Sequence, residues 1–242
     1  YLEISRGRDA GESDAALLEG LIGRLGLKRI EISAWGVREG LVFDTLDETI
    51  RNTDPLLAGT AALGLRQGVA PALPGALEGW IADVVAALPS AFGKTRDDVL
   101  TAAACNLADL GARLHPDHRV ELVFDQVLRA PVAGQTHAER AFLAAALNAR
   151  YGGDAATPEP EAVNRLLDED AGRRARALGQ AIRLACDLSG RAPQLLANAR
   201  AVVTKGELRL SATEGYADVL LGEQTRRRAR ALAETMGLSL AI

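Results

Sequence analysis

The sequence predicts a mainly α-helical protein with short α/β segments at both ends. Two observations support this fold class. Apolar residues recur at intervals of three and four along most of the chain, which is the spacing of one helix face. Alternation of apolar and polar residues, which is typical of strands, is confined to stretches near residue 30 and after residue 200. With 242 residues, 48% of them hydrophobic, the chain can bury a sizeable core.

The charge, the cysteines and the apolar runs of the sequence indicate which partners and which compartment to expect. The net charge is −4 and the pI is about 5.5, so the chain lacks the basic footprint of a DNA-binding protein. Cys105 and Cys186 both fall in helical patterns, which favours a reducing compartment over a disulfide framework. No apolar run approaches the roughly 18 residues of a membrane span, and no signal-peptide pattern is visible. We therefore expect a cytoplasmic protein that contacts no membrane.

Residues 1–51 read as helix, strand and helix. Ser13 is expected to cap a helix that ends at Leu25, a strand is predicted over 27–33, and a second helix over 37–50. One strand has no sheet to join within this chain, and the sequence begins at Tyr1 without a turn or cap. We expect residues 1–51 to be the remnant of an α/β domain of a longer protein.

Residues 52–199 are predicted to form a helical domain. Residues 52–74 are rich in Ala, Gly and Pro, which indicates a linker that contains a short helix. Thr95 and Asp98 resemble a capping box, and Asp117 is expected to cap the helix that follows it. The predicted helices cover about 77–88, 95–114, 118–128, 137–150, 158–168 and 171–188.

Residues 200–242 are predicted to form a small α/β subdomain. A hairpin is expected about Lys205-Gly206, and residues 217–222 are interpreted as a possible strand. A helix over 223–236 and a strand over 238–242 complete this segment.

The helix over 99–114 is apolar on nearly every side, which predicts the central, buried helix of the domain. Asn106 and Asp109 interrupt its apolar run from Leu100 to Leu110, and His115 and His118 follow the helix. Asp109 is either a structural carboxylate satisfied by an arginine or backbone donors, or the trace of a metal site.

Several runs resemble one family. They are Gly36-Val37-Arg38-Glu39-Gly40, CNLADLGARLHPDHR, HAERAFLAAALNARYGG and LGQAIRLACDLSG. They are similar to segments of the Ppx/GppA family of exopolyphosphatases and guanosine pentaphosphate phosphatases, and the resemblance covers most of the chain. It implies that 1–51 is the end of a second actin-like (ribonuclease H-like) domain, 52–199 an HD-like helical domain, and 200–242 the family's small C-terminal extension.

The resemblance also implies where the chemistry lies. In this family the glycine-rich phosphate loops and the catalytic glutamate belong to a first actin-like domain, so no catalytic residue is expected in this chain. The full-length enzyme is expected to use Mg²⁺ or Mn²⁺. Active HD phosphohydrolases carry a His-Asp pair where this sequence has Ala108-Asp109, so no metal is expected at this degenerate position.

Four residues are predicted to bind phosphate. Arg8 and Arg38 match positively charged positions of the family pattern, and an arginine can bind phosphate with two hydrogen bonds. His115 and Arg119 fall where family members carry a segment that faces an interdomain channel. Pairing of Arg38 with Glu39, or of Arg8 with Asp9, is the structural alternative. For His115 the alternative is an ordinary helix end.

Three functional hypotheses follow. The first is the C-terminal part of an exopolyphosphatase or guanosine pentaphosphate phosphatase, which binds inorganic polyphosphate or guanosine penta/tetraphosphate and forms a homodimer. The second is a non-catalytic helical module that binds an alarmone or a protein. The third is a divergent metal-dependent HD phosphohydrolase built from Asp109, His115 and His118.

Overall fold

The computed structural model describes residues 11–28, 35–152 and 156–242. The chain divides into two compact units, Tyr1–Arg51 and Asn52–Ile242. It is mainly helical, with a small three-stranded sheet near the C-terminus. No helix in the described ranges is long and apolar enough to cross a membrane.

Within residues 11–28 and 35–51 of the first unit, the structure describes three helices. The first helix begins at Gly11, so the prediction that Ser13 caps it is wrong. The single helix predicted over 37–50 is two helices, because the Thr45 hydroxyl donates to the Val42 carbonyl at 2.6 Å and residue 45 ends the first of them. The strand predicted over 27–33 falls outside the described residues, and the actin-like remnant stays a prediction. These helices are α1 (Gly11–Leu25), α2 (Val37–Asp44) and α3 (Glu48–Arg51).

Two long helices, α8 (His137–Gly152) and α10 (Glu169–Ser189), lie at the centre of the second unit. Almost every residue of α8 from Ala141 to Tyr151 is buried. Gly179 allows the two backbones to approach closely, because a Cβ atom there would overlap the Ala146 carbonyl oxygen. The other helices of this unit are α4 (Pro55–Arg66), α5 (Leu73–Ala86), α6 (Lys94–Asn106), α7 (Arg119–Arg129), α9 (Pro160–Leu166), α11 (Pro193–Leu196), α12 (Ala217–Leu220) and α13 (Glu223–Met236).

The stretch 52–74, predicted as a linker with a short helix, does contain a helix, α4, but this helix packs into the second unit, so only the linker part of the prediction is wrong. Asp54 caps this helix by accepting hydrogen bonds from the backbone N–H groups of Leu56 and Leu57 at 2.8 and 3.2 Å. Leu56 is fully buried, and Gly64 lies so close to the Asn106 carbonyl that a Cβ atom would overlap it. The small residues of this stretch therefore serve close packing of α4 against α6.

The helix predicted over 95–114 is shorter at its C-terminal end. It begins at Lys94 after Gly93, so Thr95 and Asp98 lie inside its first turns and the expected capping box is wrong. It ends at Asn106, and residues 107–114 form turns in which, for example, the Leu110 N–H donates to Leu107 O. Because α8 and α10 occupy the centre, α6 packs at their side rather than as the central helix.

The prediction that Asp117 caps the next helix is also wrong. α7 begins at Arg119, and His118 precedes it directly. Asp117 is exposed, and its carboxylate lies 3.7 Å from His115 Nδ1 instead of at the helix N–H groups.

The C-terminal segment confirms most of its prediction. The hairpin pairs β1 (Ala199–Thr204) with β2 (Glu207–Ala212) antiparallel, and Lys205 and Gly206 both have positive φ, as the tight turn requires. β3 (Ser239–Ala241) joins β2 in parallel, and α13 packs against α10. The possible strand over 217–222 is wrong, because residues 217–220 form α12.

Candidate anion-binding site

A cavity of about 290 Å³ opens where the start of α7 and the ends of α8 and α10 meet α13. Three of its lining residues are arginines, so we call it the arginine cavity. Ala112 and Gly190 contribute small walls. Its other lining residues are Arg119, Arg150, Tyr151, Cys186, Asp187, Arg191 and Gln224.

Local structure explains how these side chains converge. Arg119 is the first residue of α7, and Arg150 lies in the last turn of α8. Gly190 ends α10 in the left-handed conformation, and Arg191 follows with φ 68. A non-glycine residue held in that region costs about 1 kcal/mol or more, and such strain often marks a functional position.

Tyr151 anchors the floor of the cavity. Its hydroxyl accepts a hydrogen bond from the Gly111 N–H at 2.8 Å and donates one to the Ala108 carbonyl at 2.9 Å. Residue 111 must be small, because a Cβ atom there would lie 2.9 Å from the Tyr151 Cζ atom. Burial raises the pKa of Tyr151 to about 12. This phenol is therefore neutral and fixed in place at physiological pH.

Two guanidinium groups lie over the Tyr151 ring. The Cζ atom of Arg150 is 4.7 Å from the ring centroid, and that of Arg119 is 5.6 Å from it. These are cation–π distances, which hold both arginines at the cavity. Burial disfavours the charged form of Arg150, but the fields of neighbouring acidic groups outweigh burial and raise its pKa. Arg150 is thus a permanent buried cation.

Arg150 is only 7% exposed, and its Nε donor finds no hydrogen-bond partner in the part of the chain that the structure describes. The Nε atom of Arg119 is also buried and also has no hydrogen-bond partner among the described residues. An unpaired buried donor costs about 1–3 kcal/mol, and more when it is charged. Neither the Arg119 nor the Arg150 guanidinium forms an ion pair within the described residues, so both are suited to pairing with an anion in the cavity.

The cations outnumber the carboxylates. Asp109 is paired with Arg191, whose Nη1 atom lies 3.3 Å from its Oδ1 atom. Asp187 accepts from Arg228 Nε at 3.0 Å and from Gln224 Nε2 at 3.4 Å.

The pKa of Arg183, a residue of α10 near the arginine cavity, is consistent with an excess of positive charge in this region. Burial, and then the field of Arg228, lower the pKa of Arg183 to about 10. Burial raises the pKa of the Cys186 thiol, so this group adds no negative charge at neutral pH. The arginine cavity is therefore electropositive.

Comparison with protein families places these residues in a known domain. The family described as "Exopolyphosphatase, C-terminal" matches residues 79–242, which is more than half of the chain and includes the whole arginine cavity. The chain belongs to this family. A search of curated proteins found no match.

The exopolyphosphatase C-terminal domain brings together only some of the residues predicted from sequence. Arg119 lines the arginine cavity, whereas His115, with a side chain 67% exposed, does not. Arg38 is exposed on α2 in the first unit, and Arg8 lies outside the described residues.

The Ala108-Asp109 position lies beside positive charge. In the described ranges, no group of three His, Cys, Asp or Glu residues is placed to hold a metal ion. Asp109 faces the Arg191 guanidinium, and three arginines line the adjacent cavity. A divalent cation would meet repulsion where Mg²⁺ or Mn²⁺ needs several oxygen ligands.

Sequence reasoning missed Arg150, Tyr151, Asp187 and Arg191. Arg150-Tyr151 ends the run HAERAFLAAALNARYGG, which is apolar from Ala141 to Leu147. An arginine directly after such an apolar stretch of helix is a candidate buried cation that needs a partner. That signal was present in the sequence, whereas the convergence with residues 119, 187 and 191 depends on the tertiary fold.

Proposed function

We propose that this chain provides a polyanion-binding surface in an exopolyphosphatase-related protein, and that the arginine cavity is where the anion is held. The hydrolysis of a phosphoanhydride bond is not assigned to any residue of this chain. Inorganic polyphosphate is the proposed ligand, because the family's activity implies it and because guanidinium groups pair closely with phosphate oxygens.

One observation carries the proposal. Arg119 and Arg150 line the cavity as charged guanidinium groups, and neither forms an ion pair within the described residues. The nearby carboxylates Asp109 and Asp187 pair with other arginines instead. A phosphate group in the cavity would give these two cations a negatively charged partner. Arg119 and Arg191 would add hydrogen bonds from the two sides of the cavity.

We propose further that guanosine penta/tetraphosphate is the alternative ligand and that the protein is a cytoplasmic homodimer. Sedimentation equilibrium of the 242-residue chain tests the homodimer directly. A purely monomeric chain over the micromolar range would contradict it.

Titration with polyphosphate of medium chain length tests the binding. We expect affinity to fall when salt rises from about 50 to about 200 mM, because screening weakens the pairing of phosphates with arginines. Arg150→Gln should weaken binding at least about tenfold, which corresponds to the loss of one charge-assisted hydrogen bond. Unchanged affinity in that variant, with the fold intact by circular dichroism, would contradict the proposal.

Two further variants sharpen the assay. Arg129→Gln removes the same charge from the far end of α7, where Arg129 pairs with Glu159 at 2.7 Å, and should leave affinity nearly unchanged. The double variant Arg8→Gln and Arg38→Gln tests the residues predicted from sequence. A larger loss in the double variant than in Arg150→Gln would move the site to the first unit.

A further inference from the structure

We infer that the arginine cavity is a subsite for one terminal phosphoryl group, and that it accepts inorganic phosphate and the end of a polyphosphate chain but no nucleoside. This inference rests on the proposed function and deepens it by naming the ligand class of the same cavity. The volume of the cavity, its charge and the contacts of its aromatic ring support this inference.

The volume limits the occupant. Ligand pockets for whole small molecules generally measure about 300–1,000 Å³, and the arginine cavity, at about 290 Å³, lies at the lower end of that range. A nucleotide with its base, sugar and phosphates would extend far outside it. A phosphoryl group surrounded by guanidinium groups would remain within it.

The charge fits a dianion. Arg119, Arg150 and Arg191 line the cavity, and Asp187 is the carboxylate among its lining residues. Asp187 is already neutralised by Arg228 at 3.0 Å. A terminal phosphoryl group carries nearly two negative charges at neutral pH, which an internal phosphate of a chain does not. A chain end therefore gains more from Arg119 and Arg150, which form no ion pair in the described residues, and from Arg191, whose charge is shared with Asp109.

The aromatic ring excludes a base. Proteins bind unpaired nucleobases by stacking them on aromatic rings. Tyr151 is the aromatic residue of this cavity, and the guanidinium groups of Arg119 and Arg150 already lie over its ring. Its hydroxyl is engaged by Gly111 and Ala108. A guanine base would have to displace an arginine that the phosphate needs.

Competition calorimetry on the 242-residue chain tests the inference. The probes are orthophosphate, pyrophosphate, guanosine 5′-diphosphate and guanosine. We expect orthophosphate to compete with polyphosphate, guanosine to show no binding, and guanosine 5′-diphosphate to bind no more than about threefold tighter than pyrophosphate. Arg150→Gln and Arg191→Gln should each weaken orthophosphate binding about tenfold.

Arg191→Gln guards against a folding defect in Arg150→Gln, since the Arg191 side chain is 46% exposed and its loss leaves the core intact. Arg129→Gln is the charge-matched control. Protection of Arg191, but not of Arg129, from phenylglyoxal by orthophosphate gives a second readout.

The outcomes separate the inference from the proposed function. Polyphosphate binding that depends on Arg150 but is not displaced by orthophosphate overturns the single-phosphoryl subsite and leaves the proposed function standing. Guanosine 5′-diphosphate binding ten times tighter than pyrophosphate overturns the exclusion of nucleosides. Polyphosphate affinity that is unchanged in both Arg150→Gln and Arg191→Gln overturns the proposed function itself.

Discussion

Arg191 Nη1 lies 3.3 Å from Asp109 Oδ1, so a guanidinium faces the carboxylate of the Ala108-Asp109 pair. The Asp109 side chain is 15% exposed, which keeps the pair partly shielded from water. The structural interpretation of Asp109, in which an arginine satisfies the carboxylate, has its partner in Arg191. The same arginine lines the cavity, so Asp109 also restrains one of the cations proposed to bind phosphate.

Asp109→Asn should therefore strengthen polyphosphate binding. Removal of this charge frees Arg191 and makes the cavity more positive, and we expect a gain of about two- to fivefold at low salt, equivalent to about 0.5–1 kcal/mol. Calorimetric titration measures it. Asp125→Asn is the control, since Asp125 pairs with Arg129 at the far end of α7.

Weaker binding in Asp109→Asn would show that the pair positions Arg191 rather than restrains it. Hydrolysis that requires manganese and vanishes in Asp109→Ala would instead support the divergent HD phosphohydrolase.

Glu139 should make the protein sensitive to acid. Its carboxylate accepts from Arg96 Nε at 2.5 Å, and Arg96 also lies 3.3 Å from Asp54, which links the starts of α4, α6 and α8. Burial opposes ionisation of Glu139, but the hydrogen bonds from Arg96 and from the Thr136 N–H outweigh it and lower the pKa of Glu139.

A lowered native pKa contributes stability above the ordinary carboxyl pKa of about 4.3, and that stability is lost as the pH falls through the native value. Glu139→Gln should lower the free energy of unfolding by about 1–3 kcal/mol at pH 7 and flatten its decline below about pH 5. Urea denaturation at several pH values measures both. Glu121→Gln, at an exposed position of α7, should do neither.

Gly179→Ala should destabilise the second unit strongly. The added Cβ atom would overlap the Ala146 carbonyl, which is backbone and cannot rotate away, so α8 and α10 must separate. We expect a loss of about 3 kcal/mol or more, at the upper end for overpacked cores. Gly172→Ala in the same helix meets open space and should gain up to about 1 kcal/mol from helix propensity. Thermal melts of the two variants should thus shift in opposite directions.

Tyr151→Phe should destabilise the turn after α6. The Gly111 N–H and the Ala108 carbonyl both lose their partner, which should cost about 1–3 kcal/mol. Because burial raises the pKa of Tyr151 to about 12, its neutral form contributes stability below about pH 10. That contribution is lost as the pH rises through 12. The difference between the original chain and the variant in urea should narrow between pH 8 and pH 11, and a constant difference would contradict this account.

The sequence predicted the positions of the main helices well, but it predicted the residues at which they begin and end less well. Helical periodicity located α8, α10 and α13, and the turn residues Lys205-Gly206 located the hairpin. The 52–74 stretch was interpreted as a linker because small residues are common both in flexible linkers and in close helix contacts. The contact between Gly64 and the Asn106 carbonyl shows that here they serve a helix contact, and this contact is visible only in the folded chain. The end of α6 depends on Tyr151, which lies 40 residues from Gly111 along the chain.

The site was less predictable than the fold. Arg119 was predicted to bind phosphate and lines the cavity, but Arg150, Asp187 and Arg191 come from other elements whose convergence no local pattern encodes. His115 was predicted to bind phosphate as well, but its side chain is exposed beside Asp117 and does not line the cavity. A buried arginine was the more informative signal.

The packing of α13 against α10 has an electrostatic consequence for the cavity. Arg228 and Gln224 both bind Asp187, and without them the remaining cation beside this carboxylate is Arg183, whose Nε atom lies 3.9 Å away. Less of the negative charge on Asp187 would then be compensated, so an incoming oxyanion would meet more repulsion at this wall. The C-terminal segment thus supplies part of the counterion for Asp187, and its loss would weaken the attraction of the cavity for phosphate even with every arginine of α7 and α8 still in place.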